Sequence, residues 1–500
     1  MATRRAIVVG AGMGGLVAAV DLAARGVAVT VVERARGAGG KMREVVAGGA
    51  AIDAGPTVLT MRAVFEEIFA DAGTSLADHL TLRPLHVLAR HAWPGDARLD
   101  LYADVSASAD AIGRFAGASE ARRFRAFCAR TRRIHAVLER PFLHAARGGP
   151  VTLFRRAGIR ALPDLCRIAP FTTMWRALGR YFHDPRLRQL FGRYATYCGS
   201  SPLLAPATLM LVAHVEQQGV WTVDGGMQRL ADAMVRVATR LGVQFRMATE
   251  VREILVQSGA AIGVHLGDGE PIAADAVVVN ADVAALCAGR FGLSATAAVP
   301  HRPGTPRSLS AVTFALNTRT GGFPLHRHNV FFAPDSAAEF DTLFRGTALP
   351  AEPTVYVCAQ DRDDAAHVCA APRERLLCLV NAPATGDTAP LAPQEIESCE
   401  ERTFARLAEC GLTVERVPGG TIVTTPSDFE RMFPATGGAL YGRATHGWQA
   451  SFRRPGARSR IPGLYLAGGS VHPGPGLPMA ALSGRQAAAS VIADFGSRRR

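Results

Sequence analysis

The sequence predicts an α/β protein: a parallel sheet assembled from separated stretches of chain and interleaved with a second, α+β domain. Three observations predict it. Short apolar runs followed by helical periodicity stand at both ends of the chain, and glycines at fixed offsets, Gly10, Gly12 and Gly15, follow the first run directly. The third is length, since 500 residues exceed what one hydrophobic core usually holds.

Residues 6–9 read as a buried strand, 10–15 as the turn after it, and the apolar stretch beyond as a helix to about Arg25. A second strand at 28–32 ends on Glu33 and makes this the opening βαβ unit of a Rossmann-type, dinucleotide-binding domain. Met61, Val64, Phe65, Ile68 and Phe69 recur at the helical period, and 105–215 is Arg-rich and mostly helical in pattern. Gly225-Gly226 precedes a helix carrying Met227, Leu230, Met234, Val237 and Leu241; strands are expected at 243–247, 251–256, 260–266 and 276–279. From 290 to 440 strand-like runs (354–358, 376–380) mix with helices such as 394–410. A strand at 464–467, a Gly/Pro loop at 468–478 and a helix at 479–493 close the chain. The expected division is cofactor-binding pieces at 1–100, 216–290 and 446–500, a helical substrate and membrane-facing region at 101–215, and a substrate domain at 291–445.

The glycine spacing has a chemical meaning. Gly10 permits the tight turn, Gly12 lets a pyrophosphate approach the backbone, and Gly15 lets helix pack closely on strand, with the helix N-terminus facing negative charge. Glu33 is placed to accept hydrogen bonds from an adenosine ribose. Gly39 and Gly40 come where FAD proteins have a second glycine turn, which nicotinamide-only dehydrogenases do not need. Lys41 beside them either neutralises phosphate or the flavin N1/C2 edge, or is a retained surface residue. The turn at 53–57, with Gly55, Pro56 and Thr57, is either a simple loop or a contact for the isoalloxazine ring. At the far end Gly468 and Gly469 deliver backbone N–H groups toward the helix that Pro478 and Met479 open. Paired with the N-terminal fingerprint, this points to FAD as the cofactor.

Composition narrows the class. Apolar residues are 48% and charged residues 20%, too apolar for a disordered chain and too charged for a multi-span membrane protein. The net charge of +13 comes almost wholly from arginine, Lys41 being the only lysine. Arg122, Arg123, Arg125, Arg130, Arg132 and Arg133 surround Phe124 and Phe127, a pattern that suits a solvated face or an anionic membrane surface. No nucleic-acid-binding motif accompanies them, so nucleic acid is not an expected partner. The nine cysteines, Cys166 and Cys369 among them, show no CxxC or metal-ligand spacing; no metal is expected, and they read as buried thiols of a reducing compartment. Arg4 and Arg5 before an apolar stretch imitate a signal peptide, but the glycines interrupt that stretch and favour a strand. No run reaches the roughly 18 apolar residues of a spanning helix; residues 202–215 are broken by Pro206. Membrane contact is therefore expected to be peripheral.

GAGMGG at 10–15, Glu33, GGKM at 39–42, DAGPT at 53–57 and GLYLAGGSVHPGPGLPMAALSG at 463–484 together resemble the bacterial phytoene desaturase type of carotenoid desaturase, over essentially the whole chain. Residues 194–199, 219–221 before 225–227, and 439–442 are most similar to the 1-hydroxycarotenoid 3,4-desaturases, also called methoxyneurosporene dehydrogenases. The resemblance implies an amine-oxidase/GDI-like fold, non-covalent FAD, a carotenoid substrate in a long apolar tunnel, quinone or oxygen as electron acceptor, and a cytoplasmic protein peripherally attached to the inner face of a bacterial membrane. By position it also implies FAD contacts at Gly10, Gly12, Gly15, Glu33, Gly39, Gly40, Gly468, Gly469 and Val251, the last through its backbone to adenine. Many flavoproteins of the superfamily put an acidic residue after the glycine where this chain has Gly469, so here backbone groups are expected to hold the ribityl side.

Such a reaction moves hydride to flavin N5 and a proton to an acceptor, while the protein aligns the polyene and excludes water. Glu216, just beyond the apolar 202–215 stretch, is the candidate proton acceptor or ligand of a substrate hydroxyl; the alternative is a helix-surface carboxylate. His214 and His472 fare no better as candidates, since an isolated histidine is commonly structural. Rival functions are phytoene desaturation, polyene isomerisation or saturation on the same fold, a flavin amine oxidase, and a non-enzymatic lipid carrier, for which intact glycine motifs would be superfluous.

Overall fold

The computed structural model describes residues 4–145, 147–149, 171–300, 302, 304–362 and 373–497. The apolar runs from the two ends of the chain meet in one parallel sheet, ordered Leu464–Leu466, Ala276–Val279, Arg5–Val9, Ala28–Val32, Gln244–Arg246. Val8 lies between Val278 and Val31 in register, and Val278 next to Tyr465. The strands are short, and the inner ones, Ala276–Val279 and Arg5–Val9, are valine-rich and buried apart from Arg5, as strands covered on both faces must be, while the edge strand Gln244–Arg246 is partly exposed. Helix Met13–Ala23 covers one face, flanked by Gln228–Arg240 and by the closing helix Leu477–Ser497, which is longer at both ends than its Ala-rich pattern suggests. Helix Arg62–Asp71 buries the expected Val64, Phe65, Ile68 and Phe69 against the same layer.

A second sheet of seven strands stands apart from the first. Its order is Thr421–Thr424, Ser310–Thr318, Glu374–Ala382, Val355–Ala359, His328–Phe331, Val87–Trp93, Ala97–Tyr102. Glu374–Ala382 outruns the expected 376–380 because it pairs with Ser310–Thr318 along nine residues. The last two strands come from residues 87–102, and Val87–Trp93 joins the sheet by a parallel pairing to His328–Phe331. Helix Pro393–Glu409 sends Cys399 and Leu407 into this core.

Helices Val105–Ala116, Ala118–Leu138, Met174–Leu178, Pro185–Gly192 and Leu211–Gln217 pack in one apolar cluster with Trp93, Leu99, Leu101 and Val330 of the seven-stranded sheet. Phe124 and Phe127 face inward, 1% and 0% exposed, and stack with Phe182 and Phe191 at ring separations of 4.7 to 5.7 Å. The phenylalanines that alternate with arginine are thus core side chains. Among the described residues no helix is long and apolar enough to cross a membrane. Seven cysteines are described, all unpaired; Cys198 and Cys287 are only half-buried, a departure from the all-buried expectation, and Cys166 and Cys369 lie outside the described residues.

Burial pushes the imidazoles of His91 and His472 down to about 4 and that of His328 to about 3. Because these lie below the ordinary histidine value of about 6.5, the unfolded chain takes up the protons first as pH falls. The three side chains therefore give full stability above about pH 6.5 and lose it toward pH 4, by up to about 1.4 kcal/mol per histidine per pH unit. Urea unfolding is expected to have a clearly lower midpoint at about pH 5 than at neutrality; equal midpoints would contradict this.

Candidate active site

Val9, Val32 and Val279 end at the same edge of the parallel sheet, so the residues that succeed them in the chain, Gly10, Glu33 and Asn280, are gathered at that edge. This carboxyl edge is where open α/β sheets bind ligands. Gly10 N donates to Val32 O at 2.8 Å, and a side chain on Gly15 would overlap the Gly10 carbonyl oxygen. The second glycine turn docks on the first. Gly39 N donates to Ala11 O at 2.9 Å, and a Cβ on Gly40 would stand 3.1 Å from Gly12 Cα. Gly468 arrives from the other end of the chain, its N–H donating to Ser483 Oγ at 2.7 Å.

Asn280 sits among these segments. Its Nδ2 donates to Ala467 O at 3.2 Å, while its buried Oδ1 has no partner among the described residues. A Cβ on Gly12 would lie 2.7 Å from that Oδ1. Motif spacing did not mark Asn280; its only signal is that a buried strand stops on it. Glu33 Oε2 and Oε1 accept from Ala11 N at 2.7 Å and Ala35 N at 2.8 Å. Thr249 N donates to Glu33 O at 2.9 Å, which brings the strand Val251–Gln257 alongside, and Val251 packs in one apolar cluster with Val9, Val32 and Val279. A carboxylate at a strand end and a cradle with no room for a Cβ fit the adenosine and pyrophosphate of FAD, and the bare Asn280 Oδ1 is open to a donor rather than to a phosphate oxygen.

The turn at 53–57 is bound on both sides. Asp53 Oδ2 accepts from Met227 N at 2.8 Å, and its backbone exchanges hydrogen bonds with the Gln360 amide at 3.0 and 2.9 Å. Thr57 Oγ1 lies 2.7 Å from Tyr356 Oη, which lies 2.8 Å from His328 Nδ1. Gly55 and Pro56 are half-buried beside them. Lys41 is half-buried, donates to Leu440 O and stands 5.2 Å from the Phe433 ring centroid, so it is no free surface residue; burial lowers its pKa. Gly469 O accepts from the buried Arg454, which also donates to Tyr441 O and Arg443 O and so braces the C-terminal loop against segment 441–443. Pro478 is buried and Met479 half-buried at the start of the closing helix.

Glu216 is not a helix-surface carboxylate. It is 9% exposed, accepts from the Tyr194 hydroxyl, and accepts from Tyr197 Oη at 3.2 Å. Burial raises its carboxyl pKa, and the two hydroxyls partly offset this. Arg193, which the sequence did not single out, lies 5.9 Å from the Tyr197 ring centroid and 5.5 Å from that of Tyr356, bridging the Glu216 cluster to Thr57. His214 packs on His135 at 5.2 Å, and His472 is fully buried with Nε2 2.8 Å from Phe142 O.

The family model of flavin containing amine oxidoreductases matches residues 13–492. The chain is 55% identical over its whole length to a hydroxyneurosporene desaturase of Rubrivivax gelatinosus, covering 95% of that protein. It is 45% identical to a hydroxyneurosporene desaturase of Cereibacter sphaeroides, covering 99% of each chain. Among solved structures, putrescine oxidase bound to putrescine superposes with a TM-score of 0.60 at 15% identity, over 98% of this chain and 99% of that one. That likeness concerns the fold. The carboxyl-edge glycine cradle, the fold and the full-length matches agree that the chain belongs to the flavin containing amine oxidoreductase family, in the company of the hydroxyneurosporene desaturases.

Proposed function

We propose that this protein is an FAD-dependent carotenoid desaturase that introduces a C–C double bond into an acyclic 1-hydroxycarotenoid. The observation that carries the reading is its 55% identity, from end to end, to a protein named hydroxyneurosporene desaturase. The flavin, when bound, supplies the hydride acceptor. The chain's own residues do the remaining work. Gly10, Gly12, Gly15, Gly39, Gly40, Gly468 and Gly469 give backbone to the cofactor, Glu33 and Val251 hold its adenosine end, and Lys41, Gly55, Pro56, Thr57, Pro478 and Met479 surround its ring end. Domain pieces 1–100, 216–290 and 446–500 form the cofactor side, 101–215 the helical substrate region and 291–445 the substrate domain, with Val87–Trp93 and Ala97–Tyr102 lending the last an edge.

Glu216, flanked by two tyrosine hydroxyls in a region of phenylalanine and leucine, binds the substrate hydroxyl on this reading. A hydroxyl entering an apolar site needs such a partner. Because the substrate lives in a bilayer, a peripheral seat on the inner face of a bacterial membrane completes the reading, with quinone or oxygen reoxidising the flavin.

The test is anaerobic incubation of the FAD-loaded protein with a 1-hydroxy acyclic carotenoid, following flavin bleaching and the carotenoid spectrum together. Bleaching with a red-shifted polyene supports the reading. Bleaching by phytoene alone would move the substrate, and bleaching by neither would overturn desaturation. Glu216→Gln and Tyr197→Phe are expected to raise KM for the hydroxylated substrate roughly 10- to 100-fold, corresponding to about 1.5–3 kcal/mol for a hydrogen bond to a charged group. Equal effects on a substrate without the hydroxyl would remove Glu216 from that role.

A further inference from the structure

A cavity of about 280 Å³ lies where the cofactor side meets the seven-stranded sheet. One wall is Thr222 and the turn Asp224-Gly225-Gly226, which leads into helix Gln228–Arg240. The opposite wall includes Arg327 and Gln360, which adjoin strands His328–Phe331 and Val355–Ala359. The Arg83–Asp224 pair, with side chains 69% and 40% exposed, marks the mouth, and the buried Asp53 and Gln360 mark the floor. No glycine of the carboxyl-edge cradle is among the described residues that line it. The cavity is therefore distinct from that cradle, and its size is near the lower end for a small-molecule site.

Arg83, Arg327, Arg362 and Arg375 stand in the wall, and three of the four are neutralised. Arg83 donates to both carboxylate oxygens of Asp224 at 2.8 Å, Arg375 Nε to Asp361 Oδ1 at 3.0 Å, and Arg362 Nε to Glu374 Oε2 at 2.8 Å. Arg327 differs. Among the described residues it donates only through Nη1, to Gln360 O at 2.7 Å, and its buried Nε has no partner. Asp53 and Asp224 feel its charge, but neither pairs with it: Asp224 is held by Arg83, and Asp53 Oδ2 accepts from Met227 N at 2.8 Å. A half-buried guanidinium without a carboxylate is costly until something completes it. Guanidinium offers donors only, so the missing partner is an anion, and an oxyanion with two acceptor oxygens matches its planar fork.

The anchor is already held in place. Arg327 is fixed to Gln360 O, and the Gln360 amide exchanges hydrogen bonds with the Asp53 backbone at 3.0 and 2.9 Å. An anion that meets Arg327 therefore finds a guanidinium positioned by two segments of the chain, and little side-chain freedom is lost on binding.

We propose that this cavity binds a small oxyanion, a phosphate or a carboxylate, with Arg327 as its anchor and Arg83 drawing it in at the mouth. Phosphate and carboxylate present the same paired acceptor oxygens to a guanidinium, so their shared chemistry defines the site. The site involves neither flavin nor carotenoid and stands independently of the desaturase reading.

The experiment is calorimetric titration of the FAD-loaded full chain with inorganic phosphate and, separately, with malonate, at an ionic strength held constant with sodium chloride. Loading with FAD keeps the cradle from taking the phosphate. Saturable binding of one anion per chain is expected, and the tighter of the two identifies the class. Arg327→Gln is expected to weaken that binding roughly 10- to 100-fold, the effect of losing a charged hydrogen-bond donor. Arg83→Glu reverses the charge at the exposed mouth, where the fold tolerates change, and is expected to weaken it as well. Titrations in which neither anion binds more than chloride does overturn the site. Undiminished affinity in Arg327→Gln also overturns it, because the anion would then be held elsewhere. Should Arg327→Gln fail to fold, undiminished affinity in Arg83→Glu overturns it instead.

Discussion

Gly15→Val is expected to purify without bound flavin. A side chain at Gly15 would overlap the Gly10 carbonyl oxygen and press to 3.0 Å from the Asn280 side chain. Both neighbours belong to the sheet edge, so neither yields as a surface side chain would, and helix Met13–Ala23 must back away from the strand that precedes it. That motion carries Gly12 away from Gly40 and opens the cradle. FAD affinity should fall at least roughly 100-fold, about 2.7 kcal/mol, with turnover lost in proportion. Gly37→Ala is the control: it lies in the neighbouring glycine turn, but its Cβ would meet nothing within 4 Å, and it should keep its flavin. A yellow Gly15→Val protein with native flavin content would refute the cradle.

Arg362→Ala should be the most destabilising single change in the seven-stranded sheet. Arg362 donates twice to Glu374, at 2.8 Å through both Nε and Nη2, and also reaches Thr320 Oγ1 at 3.1 Å. The two side chains of the pair are 9% and 3% exposed. Removing the guanidinium strands a buried carboxylate at the end of strand Glu374–Ala382, a loss of about 3–5 kcal/mol. Replacing both partners, as Arg362→Met with Glu374→Leu, should restore much of it, because no charge is then left without a partner. Urea unfolding of the single and double variants checks this; a double variant no more stable than the single would show that the stranded charge is not the cause.

The strands of the cofactor sheet were legible because their signals are local. A short valine run closed by a polar residue or glycine reads the same whether or not its sheet partners are known, and strand Ala276–Val279 spans the residues its valines predict. Gly10, Gly12 and Gly15 were legible for a related reason: a tight turn entering a helix restricts which residues can stand there, and the restriction falls on neighbours in sequence. Lys41 shows the boundary. Its rarity was visible in the sequence, but its partner Leu440 lies 399 residues away.

By itself the sequence determined the fold class and the glycine turns, through backbone geometry and apolar periodicity over short stretches, and the family through the resemblance of its motifs. Tertiary structure alone decided which polar side chains share a site. Glu216 lies at the end of a short helix whose pattern allowed an exposed carboxylate; Tyr194 and Tyr197, folded back over it, make it a buried acceptor. Thr57 and Tyr356 are 299 residues apart, and Asn280 has meaning only where Gly12, Gly14 and Gly468 close around it. The environment of a polar group is a sum over contacts that the packing of distant segments creates, and no spacing along the chain encodes that sum.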